Sequence, residues 1–178
     1  LNYGKNKYII SLISTINLPQ LRKITGLDKN IVSAIPLPPI SLCKGPVPIF
    51  PPNKKIRNFF NNLGSTVEIK NENLSLNFWA TSAMMAPFYQ ILQTLIGWLT
   101  HKGIKTRDAQ KYITSLFSAL AEDAAIYNKD LRNLVKNSQT TGGLNEQALK
   151  ELRRSGFFKL LLSSSNKILK RLKKSQSN

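Results

Sequence analysis

The run Lys7-Tyr8-Ile9-Ile10-Ser11-Leu12-Ile13, with Pro19 and Gly26 behind it and Asn30-Ile31-Val32-Ser33-Ala34-Ile35 next, decides the fold class. Lys7 to Ile13 is a continuous apolar stretch without the period of an amphipathic helix, which predicts a strand covered on both faces. Ser14-Thr15-Ile16-Asn17 is a small polar turn. Pro19 suits the first turn of a short helix through Ile24, and Gly26 suits its carboxyl-terminal cap. Asn30 to Ile35 reads as the next strand. Strand, helix and strand at this spacing form the tail of a doubly wound α/β sheet, with ligand loops at the carboxyl ends of strands, after Ile13 and Ile35. A strand-like run so near a first residue that is Leu implies that the chain begins inside a larger domain whose amino-terminal part is absent.

A proline-rich connection follows, Pro36-Leu37-Pro38-Pro39 through Pro51-Pro52. Proline fixes φ and lacks an N–H, so Ile40-Ser41-Leu42 and Val47-Pro48-Ile49 are expected to pair only at a sheet edge. Asn53 caps a helix with apolar positions Ile56, Phe59, Phe60 and Leu63, closed by Gly64, and Ser65 to Ile69 alternates as a last short strand. From Glu72 onward every pattern is helical. The expected division is residues 1–70 as the remainder of a dinucleotide-binding domain and 71–178 as an all-helical domain.

The helical part opens with a short helix over Asn73 to Trp79 and a long one over Ala83 to Lys102, apolar nearly all round. Its apolar core is short for a bilayer span and is interrupted by Pro87, Gln90, Gln93 and Thr94. A helix greasy on all sides is buried on all sides, and a second subunit is expected to supply the missing cover, which makes the protein an obligate dimer. Thr106 is read as the cap of the next helix, which has a single apolar stripe from Ala109 to Ala121. Short helices around Leu134 and Leu149 and a last one from Phe157 to Leu172 complete the bundle.

The net charge of +17, from 26 Lys and Arg against 9 Asp and Glu, raises nucleic-acid binding as an alternative. The charges are nevertheless scattered over polar faces, without the interleaved aromatics of a base-stacking surface. Lys167 to Lys174 is the one run, as expected of a solvated terminal helix. A single Cys43 excludes a disulfide framework and indicates a reducing, cytoplasmic setting, with no signal or transit segment. Cys43 has no partner at metal spacing and is expected to be buried; no metal site is visible. His101 suits a helix end, Met84 and Met85 a core or pocket wall, and Tyr89 a buried position on the dimer helix.

Asn137-Ser138-Gln139-Thr140-Thr141-Gly142-Gly143-Leu144-Asn145-Glu146-Gln147 concentrates hydroxyls, amides and a glycine pair before a helix from Leu144 to Arg154. Adjacent glycines permit φ > 0 and close approach, and the helix start directs N–H groups back at the loop, which is the chemistry of a small carboxylate or phosphate site. A well-capped helix–helix turn has the same appearance.

These pieces, in order, resemble the pyrroline-5-carboxylate reductase family over about Lys7 to Leu172. Its Ser-x-Ala-Ala-Gly after a strand is similar to Ser11-Leu12-Ile13-Ser14-Thr15, and its Met-Pro-Asn-Thr-Pro to Ile35-Pro36-Leu37-Pro38-Pro39. Its Ser-Gly-Ser-Gly-Pro-Ala-Tyr helix start resembles the stretch from Ser82 to Tyr89. Its Thr-Ser-Pro-Gly-Gly-Thr-Thr loop resembles Gln139 to Asn145. The resemblance implies a Rossmann-type sheet followed by a helical dimerisation bundle, with hydride transfer from NADPH or NADH to a cyclic imine acid of proline biosynthesis. It implies Ser82, Thr141, Gly142, Gly143 and Asn145 on the substrate, whose carboxylate the family holds there. It also implies a Thr140 hydrogen bond near the imine nitrogen, and Ser14, Thr15, Pro36 and Leu37 along the nicotinamide. The departures fall where substrate is read: Leu37 replaces an Asn, Leu144 and Asn145 replace two Thr, and Ala83-Met84-Met85 replaces a Gly-rich turn. A related reductase of a different imine or carbonyl is therefore the second reading, and a non-catalytic basic helical dimer that binds nucleic acid is the third. No G-x-G-x-x-G occurs, so the chain as given is expected to bind dinucleotide poorly and to be inactive.

Overall fold

The computed structural model describes residues 7–127 and 130–177. Leu1, which contributed to the expectation of a missing amino-terminal part, lies outside them. Two compact units are present: Leu1–Ala83 with Ser163–Asn178, and Met84–Leu162.

The first unit is the α/β part. Strand β1 (Ile9–Ser11), helix α1 (Leu18–Thr25) and strand β2 (Ile31–Ala34) form the expected unit, with β1 and β2 parallel and Ile9 opposite Ile31. Helix α1 starts at Asn17, whose side chain accepts the Gln20 N–H at 2.9 Å while the Gln20 side chain accepts the Asn17 N–H at 3.0 Å. This reciprocal cap satisfies two donors that the helix start would otherwise leave open. Gly26 ends the helix at φ 69°, a left-handed geometry natural to glycine. The first strand is shorter than the apolar run suggests: Leu12 and Ile13 already belong to the loop and are more than half exposed.

The proline-rich connection departs from expectation three times. Pro38–Leu42 is a 3-10 turn, not an edge strand, because paired prolines start a tight helical turn with φ already set. Cys43 closes that turn at φ 53° and is exposed, contrary to the expected burial. Strand β3 (Pro46–Phe50) then lies inside the sheet, antiparallel to β2 and parallel to β4 (Ser65–Glu68), in the order β1-β2-β3-β4. The period-two geometry explains how prolines are tolerated there. Gly45 and Ile49 offer their carbonyls to Ser65 and Ile69 on the β4 side, while Pro48 faces β2 and accepts from Ile35. Pro46 and Pro48 therefore direct their missing donors away from β4. The β4 ladder keeps four residue pairs and the β2 ladder keeps two.

Helix α2 (Lys54–Phe60) starts where Asn53 accepts the N–H groups of Lys55 and Ile56 at 3.0 and 3.1 Å. It buries Ile56 and Phe60 against Val32, Ala34, Val47 and Ile49 of the sheet. Helix α3 (Glu72–Ser82) packs Leu76 and Trp79 with Ile69, and Leu169 and Leu172 of the last helix, α8 (Phe157–Ser177), cover that cluster. The Glu72 carboxylate accepts the Leu18 N–H at 2.6 Å, tying the start of α3 to the start of α1.

The second unit is helical: α4 (Met85–His101), α5 (Thr106–Ile126), α6 (Leu131–Asn137), α7 (Leu144–Arg154) and the first residues of α8. Helices α4 and α5 pack through Ile96, Ala109 and Ile113, flanked by Leu92, Leu95, Leu99 and Phe117. Lys105, not Thr106, is the cap residue of α5 and forms no side-chain cap bond; Thr106 is already helical. Within this single chain α4 buries only Ile96 and leaves Phe88, Tyr89 and Trp98 exposed. Among the described residues no helix is long and apolar enough to cross a membrane. The architecture is α/β followed by all-α: the tail of a Rossmann-type sheet, then a helical bundle.

Candidate functional site

The carboxyl ends of β1 and β2 open onto a cavity of about 570 Å3 in the sheet unit. Ser14 and Thr15 reach it from the loop after β1, Ile35 from the end of β2, and Trp79, Ser82 and Ala83 from the end of α3. Ile168, Arg171, Leu172 and Ser175 of α8 complete the wall. Parallel strands end here with short loops, so backbone donors and small hydroxyls gather where helices no longer shield the sheet edge. Of the residues expected to touch ligand, the structure brings Ser14, Thr15 and Ser82 to one cavity. Pro36 and Leu37 follow β2 but do not line it; Leu37 begins the 3-10 turn. The Ser82 hydroxyl donates to the Phe78 carbonyl at 3.0 Å, a bond within its own helix that leaves the oxygen able to accept.

A second hollow shares Thr15 and Ser175 with the first and adds Ile16, Gln20, Lys23 and Ile24. Among the described residues the linings of the two contain two cations, Lys23 and Arg171, and no acidic side chain.

In the helical unit, the glycine loop joins α6 to α7 and carries Thr140, Thr141, Gly142, Gly143 and Asn145 within one turn of chain. Only Gly142 takes a positive φ, at 74°; Gly143 is extended and serves as the cap residue of α7. Close approach at Gly143 is made by the loop itself, since a Cβ there would lie 2.5 Å from Thr140 Oγ1 and 2.9 Å from the Thr140 carbonyl. The Gly143 N–H donates to that carbonyl at 2.8 Å, and the Gly142 N–H donates to a Glu146 carboxylate oxygen at 2.8 Å. Asn145 spends its side-chain amide on the Ser138 carbonyl at 2.9 Å. An internal carboxylate thus stands at the donor that the sequence reading offered to a ligand. The Lys150 ammonium beside Glu146, and then the Gly142 N–H, hold its carboxyl below the usual range.

Sequence reasoning missed Trp79, Arg171 and Glu146. The pair Leu76 and Trp79, three apart on a helix, signals a buried face, and a glutamate three residues after a cap is a capping signature. Arg171 has no local signal, because only tertiary packing carries it to the strand ends.

The pyrroline-5-carboxylate reductase dimerisation family matches residues 73–175. Among solved structures, a pyrroline carboxylate reductase of Plasmodium falciparum with NADP bound is similar at a TM-score of 0.82 and 19% identity, over 95% of this chain and 67% of that one. A pyrroline-5-carboxylate reductase from Coxiella burnetii reaches a TM-score of 0.83 at 20% identity, over 97% and 67% of the two chains. The 1-pyrroline-5-carboxylate reductase from Streptococcus pyogenes gives 0.82 at 20% identity, over 95% and 68%. No curated protein sequence matches the chain. At these identities the structural likeness establishes the fold.

Proposed function

Because the chain belongs to the pyrroline-5-carboxylate reductase dimerisation family, we propose that it serves in an NAD(P)H-dependent reductase of a cyclic imine acid. The observation that carries the reading is the shared cavity of Ser14, Thr15 and Ser82 at the carboxyl ends of β1 and β2. Residues 1–70 are assigned to the dinucleotide-binding domain and 71–178 to dimerisation and substrate binding.

The cavity's residues fit a nicotinamide ring: Ile35 and Trp79 offer flat apolar wall, and Ser14 and Thr15 offer hydroxyls for its amide. NADPH or NADH would supply a hydride for the imine carbon. The protein's own contribution is positioning, which favours small rigid donors over a strong acid. Ser14, Thr15, Pro36 and Leu37 are assigned to the cofactor side, and Ser82 to the substrate. In the helical unit, Thr141, Gly142, Gly143 and Asn145 are assigned to substrate, and Thr140 is the hydrogen-bond donor to the imine nitrogen. Leu144, which is 84% exposed beside that loop, favours a substrate bulkier or more apolar than pyrroline-5-carboxylate as a second reading. The bundle is assigned to a homodimer, supported by the apolar residues that α4 and α5 leave uncovered in one chain. A lone, exposed Cys43 suits the cytoplasm.

The test is NADPH oxidation with a panel of cyclic imine acids, using the full product of the reading frame that encodes these residues. Imine-dependent oxidation is expected. A folded, dimeric protein that oxidises NADPH with no member of the panel would end the reading.

A further inference from the structure

We propose that the outward face of α8 in the sheet unit, formed by Lys167, Lys170, Arg171 and Lys174 with Lys23 of α1 beside it, binds the phosphate backbone of double-stranded nucleic acid without regard to sequence. The inference goes beyond the reductase reading and does not depend on it.

The fold gathers these cations on one side of the sheet. Successive strand residues face opposite ways, so Ile31 packs with α1 while Val32 and Ala34 pack with α2. Phe50 packs on the α1 cluster and also on the α3 cluster that Leu169 and Leu172 of α8 cover, so α8 lies on the α1 side. Lys23 and Ser175 line one hollow, which sets the two helices next to each other. Lys167, Lys170, Arg171 and Lys174 have the i, i+3, i+4, i+7 spacing of a single helical stripe, and all are exposed.

The stripe is unopposed. Among the described residues the acidic side chains of the sheet unit are Asp28, Glu68 and Glu72. Glu68 pairs with Arg57 of α2, and Glu72 accepts the Leu18 N–H. Asp28 lies past the end of α1, with Lys29 next in the chain. The ion pairs of the described residues are Arg57 with Glu68, Arg132 with Asp130 and Lys150 with Glu146, and none includes a cation of the stripe. A cationic face without acids directs its field outward, to a polyanion.

Geometry and composition select the kind of polyanion. From Lys167 to Lys174 a helix rises about 10 Å, the axial length of about three nucleotides in one strand of a duplex. An anionic membrane would call for an apolar helix face free to enter the headgroups. Here Leu169 and Leu172 are packed into the core, and Ser163 and Asn166, one turn before Lys167 and Lys170, continue the exposed face with polar side chains. No aromatic residue occurs from Ser163 to Ser177, so bases find no stacking platform and contact stays with the backbone.

The experiment is fluorescence anisotropy of a labelled DNA duplex of about two helical turns, titrated with the full product of the reading frame over a series of salt concentrations. Log affinity should fall with log salt at a slope of about −4, as for about five neutralised phosphates. Joint replacement by Lys167→Gln, Lys170→Gln and Lys174→Gln should flatten that slope by about 3 and weaken binding about tenfold or more at low salt. Lys167→Arg, Lys170→Arg and Lys174→Arg together keep the charge and should bind as the parent does. Removing equal charge elsewhere, by Lys44→Gln, Lys54→Gln and Lys55→Gln, should change the slope by less than about 1. Thermal unfolding of the α8 variants should not move, because the substituted lysines are exposed. A parent protein without saturable, salt-dependent duplex binding overturns the inference. An equal loss in the two glutamine triples also overturns it, by tracing the binding to net charge and not to the stripe. Capture by phosphatidylserine vesicles that needs the stripe, without duplex binding, overturns it too and gives the face to a membrane. Duplex binding that is lost with the α8 lysines supports it, whether or not the protein reduces an imine.

Discussion

The Gly142 N–H and the Lys150 ammonium hold the two oxygens of one carboxylate, that of Glu146, each at 2.8 Å. A residue of α7 thereby clasps the loop in front of its own helix. Glutamate near a helix start also suits the positive end of the dipole.

The clasp has a definite pH dependence. Lys150, and then the Gly142 N–H, hold the Glu146 carboxyl below its ordinary value of 4.5. A group whose folded pKa is depressed contributes stability that is complete above the unfolded value and is lost as pH falls through the folded one. The loop is therefore fully clasped above about pH 4.5 and opens below it. The Gly142 amide resonance followed against pH should titrate with a midpoint under 4.5, and Glu146→Gln should remove that transition. A midpoint at or above 4.5 would show that the carboxylate is not engaged.

Glu72 performs a comparable task at longer range, since its carboxylate accepts the Leu18 N–H at 2.6 Å across 54 residues of sequence. Glu72→Ala leaves that first-turn donor of α1 without its partner in a half-buried place. The expected loss is about 1–2 kcal/mol of unfolding free energy, measured by urea titration. Glu72→Gln keeps an acceptor oxygen and should lose less. Equal losses for the two would mean that packing, not the hydrogen bond, is what Glu72 supplies.

Close backbone contact at Gly64 gives a sharper expectation. A Cβ there would lie 2.5 Å from the Gly45 carbonyl oxygen, which also accepts the Ser65 N–H at 2.9 Å. Backbone cannot swing aside as a side chain can, so Gly64→Ala should disturb the start of the β3–β4 ladder. A loss of about 1–3 kcal/mol is expected, as for overpacking. Gly97→Ala serves as the comparison, because a Cβ there meets nothing within 4 Å. In mid-helix, alanine should leave stability equal or slightly higher.

The sequence was most readable where donor and acceptor are neighbours. Asn53 and Gly26 announce their helix ends because the groups they satisfy lie within three or four residues. The interior placement of β3 was not readable, because counting Pro46 and Pro48 says nothing about which side their missing donors face. That side is fixed only when β4 pairs with Gly45 and Ile49. The candidate site divides the same way. Ser14 and Thr15 follow from the strand–loop pattern, whereas Trp79 and Arg171 meet them only after α3 and α8 pack together. The glycine loop was found, but not the internal partners of its donors. Loop composition shows that N–H groups are present, not that Glu146 has taken one.

The helical unit carries the last prediction. Helices α4 and α5 share a small core around Ile96, Ala109 and Ile113, yet Trp98 is 59% exposed, Tyr112 62% and Leu120 55%. Large aromatics left in water are the anchors that subunit interfaces most often bury, and their truncation costs the most binding energy. Trp98→Glu should therefore weaken self-association at least about tenfold, read as a shift toward monomer in sedimentation velocity over a concentration series. Far-ultraviolet circular dichroism should keep its helical signal, since Trp98 is outside the α4–α5 core. An unchanged dimer would place the interface elsewhere on the bundle. A monomer that has also lost its helix would mean that the bundle folds only as it pairs, which Tyr112→Ala, a milder cut on α5, would then separate from contact loss.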